Sequence, residues 1–419
     1  MTESAKNQTL GIRFSSLILI VMFLGFLNFD LRTSSDLTSG LITSSIMHRL
    51  LSVFLVGLFL IGKLRTIKYI TLSNRLIFVF CIYLIYKLLT SIWSVNSLWT
   101  IYRTFEYAVI FLFMAYIALR SNEYEGIEYL FKALGIYYLA LIFSVVAGSI
   151  VFTEDALLDA GGIIPKISGV LPVLSSTTIA NLSLILILLS LHDYFTKASS
   201  VKVLIILVAS VTFIFAQSRT GAIVGLSYFL IFLLRGKPNF FHISLLILFS
   251  LIWFAYSSTT NELVYTYLQR GQSMEELSSL SSRMNMWLES LNFFANSDLL
   301  TKFGGLGSFA GVRFFIADRN YIYTDQGASL FSTDNLFLEV LIDEGLIGLF
   351  FVSIIFFVTT KYIFKINKKP LLLLCLSLWA GLVIGSITVA NMFLHTNVIF
   401  ILVFLTACKS WELNKIRTR

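Results

Sequence analysis

The chain has 419 residues, 57% hydrophobic and 13% charged, with a mean hydropathy of +0.85. That balance excludes an ordinary soluble domain, and its apolar runs are long enough to cross a hydrocarbon core of about 30 Å, as in a polytopic helical membrane protein. The net charge of +8 is an orientation signal rather than a nucleic-acid footprint, because many Lys and Arg fall in short loops between apolar runs. Cys81, Cys375 and Cys408 lie in or at the ends of those runs, without disulfide or metal-ligand spacing.

Taken in order, the apolar runs predict about twelve spans by the criterion of roughly 20 residues each. They fall near residues 12–29, 46–62, 76–93, 104–120, 130–152, 172–191, 201–217, 220–234, 240–257, 335–360, 370–389 and 392–408. The first carries no small-residue cleavage pattern and is read as a span rather than a signal peptide. Lys63, Arg65, Lys68 and Arg75, then Lys197 and Lys202, Arg235 and Lys237, and Lys361 to Lys369 mark the cytoplasmic loops. Both termini are then cytoplasmic and the 261–334 segment lies outside. The division expected is a bundle over 1–257, a large outer loop over 258–334 and a C-terminal group of about three spans over 335–419. The loop at 153–171 (TEDALLDAGGIIPKISGVL) reads as irregular. No two-half repeat is visible, which counts against a secondary transporter.

Arg219 sits in AQSRTGAIVGL between two short spans, 17 residues after Lys202 and 16 before Arg235. At 1.5 Å per residue each leg rises roughly 25 Å, which leaves the guanidinium slightly below the outer surface. A cation at that depth either faces a polar cavity or an anionic partner such as a phosphate headgroup, or snorkels to the interface. In MEELSSLSSRMNMWLESLNFF, Leu280, Met284, Trp287, Leu288 and Leu291 have helical apolar spacing. They predict an amphipathic helix on the outer surface with Arg283 and Trp287 one turn apart. Arg313 lies in the glycine-rich FGGLGSFAGVRFF that follows, which suits close backbone approach either to a ligand or within a tight turn.

Asp334 precedes Asn335 at the mouth of the tenth span. It reads either as a helix N-cap or as a general base facing an outer cavity. Arg103 and Arg49 are further cations at span ends, and Glu106, one turn from Arg103, can pair with it. Glu339 and Asp343 repeat at i, i+4 inside an apolar helix, where acids face a bundle interior or cavity, and Asp343 with Glu344 can mark a break near Gly345. His48 and His395 read as structural.

Three pieces in this order resemble the O-antigen ligase and Wzy-type polysaccharide polymerase superfamily of bacterial inner membranes. They are SRTGA (Ser218 to Ala222), the Arg283–Trp287 segment with GGLGSF (Gly304 to Phe309), and Asp334-Asn335 followed after nine residues by Gly345 and Gly348. The stretch from Trp93 to Tyr107 is similar to the exopolysaccharide-polymerase branch. The ligases carry His-Asn, His-Ser or His-Gln in the third piece; here Asp334 stands at the histidine position, which favours a polymerase.

The resemblance implies a GT-C-like, all-α polytopic membrane glycosyltransferase that uses no metal or other cofactor. Its implied substrates are glycans on undecaprenyl diphosphate, with membrane lipids and a chain-length regulator protein as partners and no nucleic acid. Arg219 and Arg283 would hold the diphosphate, and Asp334 would stand near the acceptor hydroxyl. Arg103, Trp287, Arg313 and Asn335 complete the expected substrate-binding set, in an inner-membrane site facing the periplasm. The competing readings are an O-antigen ligase, a carrier or flippase for an anionic lipid or solute, and a noncatalytic scaffold.

Overall fold

The computed structural model describes residues 44–121, 123–158, 165–170, 173–196, 198–218, 283–318, 335–386 and 397–417, with positions 19, 221, 224, 225 and 333. Among the described residues, five helices are long and apolar enough to cross a membrane: Arg75–Ile92, Ser97–Arg120, Glu125–Val151, Ser176–Tyr194 and Leu336–Ile363. They correspond to expected spans near 76–93, 104–120, 130–152, 172–191 and 335–360. The expected span at 240–257, and nearly all of those at 12–29 and 220–234, lie outside the described residues.

The chain divides into two compact units. The first holds residues 1–137, 293–365 and 390–419, the second 138–292 and 366–389. In the first unit, α1 (Ser44–Ile61) is followed after a break by α2 (Leu64–Ser73), the two axes bent by 83°. A cytoplasmic loop was the expectation at 63–75. Instead Ile67 and Ile70 lie on one face and are buried, while Arg65 and Lys68 are exposed. That periodicity suits a short helix along an interface better than a coil. Helices α3 (Arg75–Leu89) and α4 (Ser97–Arg120) form a hairpin, and α5 (Glu125–Val151) carries the chain into the second unit.

In the second unit two-residue strands interrupt the helical pattern within the loop expected to be irregular. Leu157–Leu158 (β1) pairs antiparallel with Lys166–Ile167 (β2), and Gly169–Val170 (β3) with Val173–Leu174 (β4). Helices α6 (Ser176–Thr196) and α7 (Ser200–Ala216) pack as an antiparallel pair. Val145, Ile167, Ile179, Ala180 and Ala216 make the unit's buried cluster.

The chain is described again from α8 (Arg283–Asn296), followed by α9 (Leu299–Gly304), α10 (Gly311–Asp318), α11 (Leu336–Ile363), α12 (Lys369–Gly385) and α13 (Val398–Arg417). Helix α8 is the expected amphipathic helix. Met284, Leu288 and Leu291 on its apolar face are exposed and Met286 and Ser290 are buried, as in a helix lying at a lipid surface. α12 packs on α6 in the second unit, whereas α11 and α13 pack with α3 and α4 in the first. The first unit's core is aromatic. Phe80 of α3 lies 4.2 Å from Phe111 and 5.0 Å from Phe404, ring centroid to centroid. Burying such rings supplies both area and edge or offset contacts.

Helix α11 breaks at Gly345, whose φ of 66° and ψ of −162° belong to a region essentially reserved for glycine. The break strips the carbonyls before it of their helical donors, and each finds another. Ile342 O accepts from Leu306 N at 2.8 Å, Asp343 O from Gly307 N at 2.9 Å and Glu344 O from the Tyr86 hydroxyl at 2.6 Å. Unsatisfied, each would cost several kcal/mol in a lipid or protein interior. The glycine-rich segment 304–311 therefore does make a close backbone approach, but to the kinked helix. A Cβ on Gly305 would lie 2.3 Å from the Asp343 carbonyl carbon, and one on Gly345 2.5 Å from the carbonyl of Phe303. Gly345→Ala is expected to lower the thermal unfolding temperature in detergent by more than the 1–3 kcal/mol of backbone strain alone would, since the Phe303 backbone must also move.

Candidate functional site

The first unit brings one set of charged side chains to the place where α3 turns into α4. Arg49 comes from α1, Lys87 from the last turn of α3, and Arg103 and Glu106 from the first turns of α4. Arg313 comes from α10, and Glu339, Asp343 and Glu344 from the segment of α11 before its kink. Apolar runs bring these groups to one end because each helix buries its hydrophobic remainder in the bundle, leaving its polar turns at the rim.

Glu106 is fully buried and ion-paired with Arg103 one turn away, and its other oxygen lies 3.7 Å from Arg49 Nε. The expected pairing of Arg103 with Glu106 is thus present, with a second arginine added. The Arg103 guanidinium lies 5.7 Å from the Trp99 ring and 5.7 Å from that of Phe309, and the Arg313 guanidinium lies 4.5 Å from Trp99. These are cation–π distances. Burial, and after it the charge of Arg103, pulls the Arg313 guanidinium down to about 10, so it remains a cation at neutral pH. Two arginines share the buried Glu106 carboxylate, and Arg313 lies over the Trp99 ring beside them.

Phe309 is the strained residue of this rim. Its φ of 64° is a left-handed conformation that an aromatic residue rarely adopts. Its N–H donates to Asp343 Oδ2 at 2.9 Å, and its carbonyl accepts from Trp99 Nε1 at 3.1 Å. Its ring carries Lys87 Nζ at 4.4 Å on top of the Arg103 contact. Asp343 Oδ1 accepts from Val312 N at 2.7 Å, so one carboxylate holds both Phe309 and the start of α10. Thr100 Oγ1 donates to Ser308 O at 2.8 Å, and Ser308 N donates to Thr90 Oγ1 at 3.0 Å. The segment is thus fixed from α3, α4 and α11 together. Beneath it Lys87 and Glu344, both fully buried, form an ion pair.

Of the predicted site residues, the structure brings Arg103 and Arg313 together over Trp99. Asn335 is the N-cap of α11: its side-chain oxygen accepts from Phe337 N at 3.0 Å and Leu338 N at 3.2 Å. The cap expected at Asp334 is therefore one residue later, because α11 begins at Leu336 and Asn335 has the extended backbone a cap requires. Thr333 N donates to Glu339 Oε1 at 2.7 Å, which completes a capping-box-like closure. Trp287 is half-buried on α8. Arg283 opens that helix, and its side chain, like Arg219 and Asp334 as a whole, lies outside the described residues.

Lys87, Trp99 and Phe309 were not singled out from the sequence. Lys87 sits in RLIFVFCIYLIYKLL and looks like a lysine snorkelling at a span end. A rule that an ionisable group deep in an apolar run needs a counter-charge points to the acids of α11.

These observations stand beside two comparisons. No curated protein matches the chain. Residues 203–353 match the family model described as O-antigen ligase, over an interval that includes the glycine-rich segment, Arg313 and the kink of α11. Over that interval the chain is similar to the O-antigen ligase family, and five of its described helices are long and apolar enough to cross a membrane.

Proposed function

We propose that the protein is a polymerase of undecaprenyl-diphosphate-linked oligosaccharide repeat units, working at the periplasmic face of a bacterial inner membrane. The observation that carries this reading is the rim of the first unit, where Arg49, Arg103 and Arg313 collect beside Trp99 and Phe309. Forked guanidinium groups match phosphate oxygens, and an aromatic face beside them suits the apolar side of a sugar ring.

In the proposed reaction the bond between the anomeric carbon and the phosphate oxygen breaks, and negative charge grows on the departing diphosphate. Fixed cations stabilise that charge in a poorly hydrated site; Arg219 and Arg283 take this part, with Arg103, Arg313 and Trp287 holding the glycan. The acceptor hydroxyl oxygen bonds to the anomeric carbon and its proton passes to Asp334. Asn335 acts by fixing the start of α11, next to that carboxylate. Among the described residues, Glu106 is engaged by arginine, Asp343 by backbone amides and Glu344 by lysine. Purified protein given radiolabelled repeat-unit lipid should yield a ladder of longer glycans on lipid. Unchanged lipid, or lipid moved across the membrane without new bonds, would contradict the reading.

The description of the matched family favours a second reading, transfer of the finished glycan to a lipid core. Deleting the gene separates the two. A polymerase deletion leaves one repeat on the core, and a ligase deletion leaves the core bare.

A further inference from the structure

Helix α9 is short and buries little of itself. Leu299 is 74% exposed, Leu300 56% and Phe303 52%, and Gly304 is its buried residue. Side chains of that kind on a loop in water are a solubility liability. Their depth can be read from the two spans beside them. After the kink, Leu346–Ile363 is 18 residues long and rises about 27 Å at 1.5 Å per residue, close to the thickness of a hydrocarbon core. Arg75–Ile92 is likewise 18 residues. Both stop at the same place. A Cβ on Gly345 would lie 2.5 Å from the Phe303 carbonyl, and Trp93, just past the other span, donates from Nε1 to Gly304 O at 3.2 Å with its ring against that glycine. The segment 303–304 therefore lies level with the ends of two spans.

Exposed apolar side chains lie around it and on α11 below the kink, with Asn96, Ser97 and Asp298 exposed beside them. Ile92 is 76% exposed and Leu98 81% exposed at the turn from α3 to α4, and Phe350 is 63% exposed below the kink. Trp93 stands at the boundary, where indole rings concentrate in membrane proteins.

We infer that α9, with the turn between α3 and α4, is an interfacial anchor: Leu299, Leu300 and Phe303 insert into the lipid leaflet at that end of the first unit. The occupant of this face is the bilayer itself. The anchor ties the glycine-rich segment, and with it Phe309 and Arg313, to the depth of the lipid headgroups. It rests on the spans and the exposed apolar band, and holds whatever reaction the rim performs.

Nitroxide labels on Leu299→Cys and Phe303→Cys test it in vesicles of phosphatidylethanolamine and phosphatidylglycerol, with any Cys81 signal measured on the unsubstituted protein. The expected result is collision with dissolved oxygen several-fold more frequent than with a water-soluble nickel chelate at both positions. Chelate access equal to or above that of oxygen would overturn the inference, as would spectra immobile enough to show burial against protein. Leu300→Cys gives the same readout should Phe303→Cys fail to insert. Because no turnover is measured, failure here is distinct from failure of the polymerase reading.

Discussion

Replacing Lys87 with methionine is expected to destabilise the protein by about 3–5 kcal/mol, because it leaves the Glu344 carboxylate buried without its counter-charge. Both side chains are fully buried, and the lysine is the cation ion-paired with Glu344. The lysine is thus the main source of compensation. Thermal unfolding of purified protein in one detergent, at one protein concentration, should show the fall. The double variant Lys87→Met, Glu344→Leu should recover most of it, since removing both charges also removes the desolvation penalty that the pair exists to offset. A double variant as unstable as the single would show that the methionine itself disrupts packing against Tyr83 and Phe309, the rings the lysine covers.

The second large effect is on activity. Arg219→Ala and Arg283→Ala should each reduce glycan polymerisation by about 10²-fold or more, the usual scale for removing a group that stabilises developing charge. The proteins should still insert and unfold at the wild-type temperature. The reduction should fall on kcat rather than on KM alone, because a charge formed at the leaving group is felt most in the transition state. Chain-length ladders on lipid, separated by gel from cells carrying each variant, give the first measure. Wild-type ladders from both variants would remove these arginines from the site.

Several features of this fold were legible in the sequence for identifiable reasons. Five spans announce themselves by length and hydropathy, and the Arg103–Glu106 pair by its spacing of one turn. The acids before Gly345 imply a break because consecutive carboxylates and a glycine do not continue an apolar helix. Other features depend on what lies opposite, which no local pattern specifies. Lys87 and Glu344 are 257 positions apart. The glycines of 304–311 predict close approach without saying to what. Asp334 and Asn335 are equally good caps, and only the position of the first helical residue, Leu336, decides between them.

The docking of residues 304–311 has a consequence for how this segment can vary. Its fixing points are mostly main-chain groups: the amides of 306, 307, 308, 309 and 312 and the carbonyls of 304, 306, 308 and 309. Main-chain groups are common to nearly all amino acids, so the side chains at 306 and 308 are free to drift if their bulk is tolerated. Count is not free to drift. Inserting or deleting a single residue between Gly304 and Phe309 would shift the amides that follow it past their acceptors and offer Asp343 the wrong pair, a constraint on length that adds to the one the glycines place on composition.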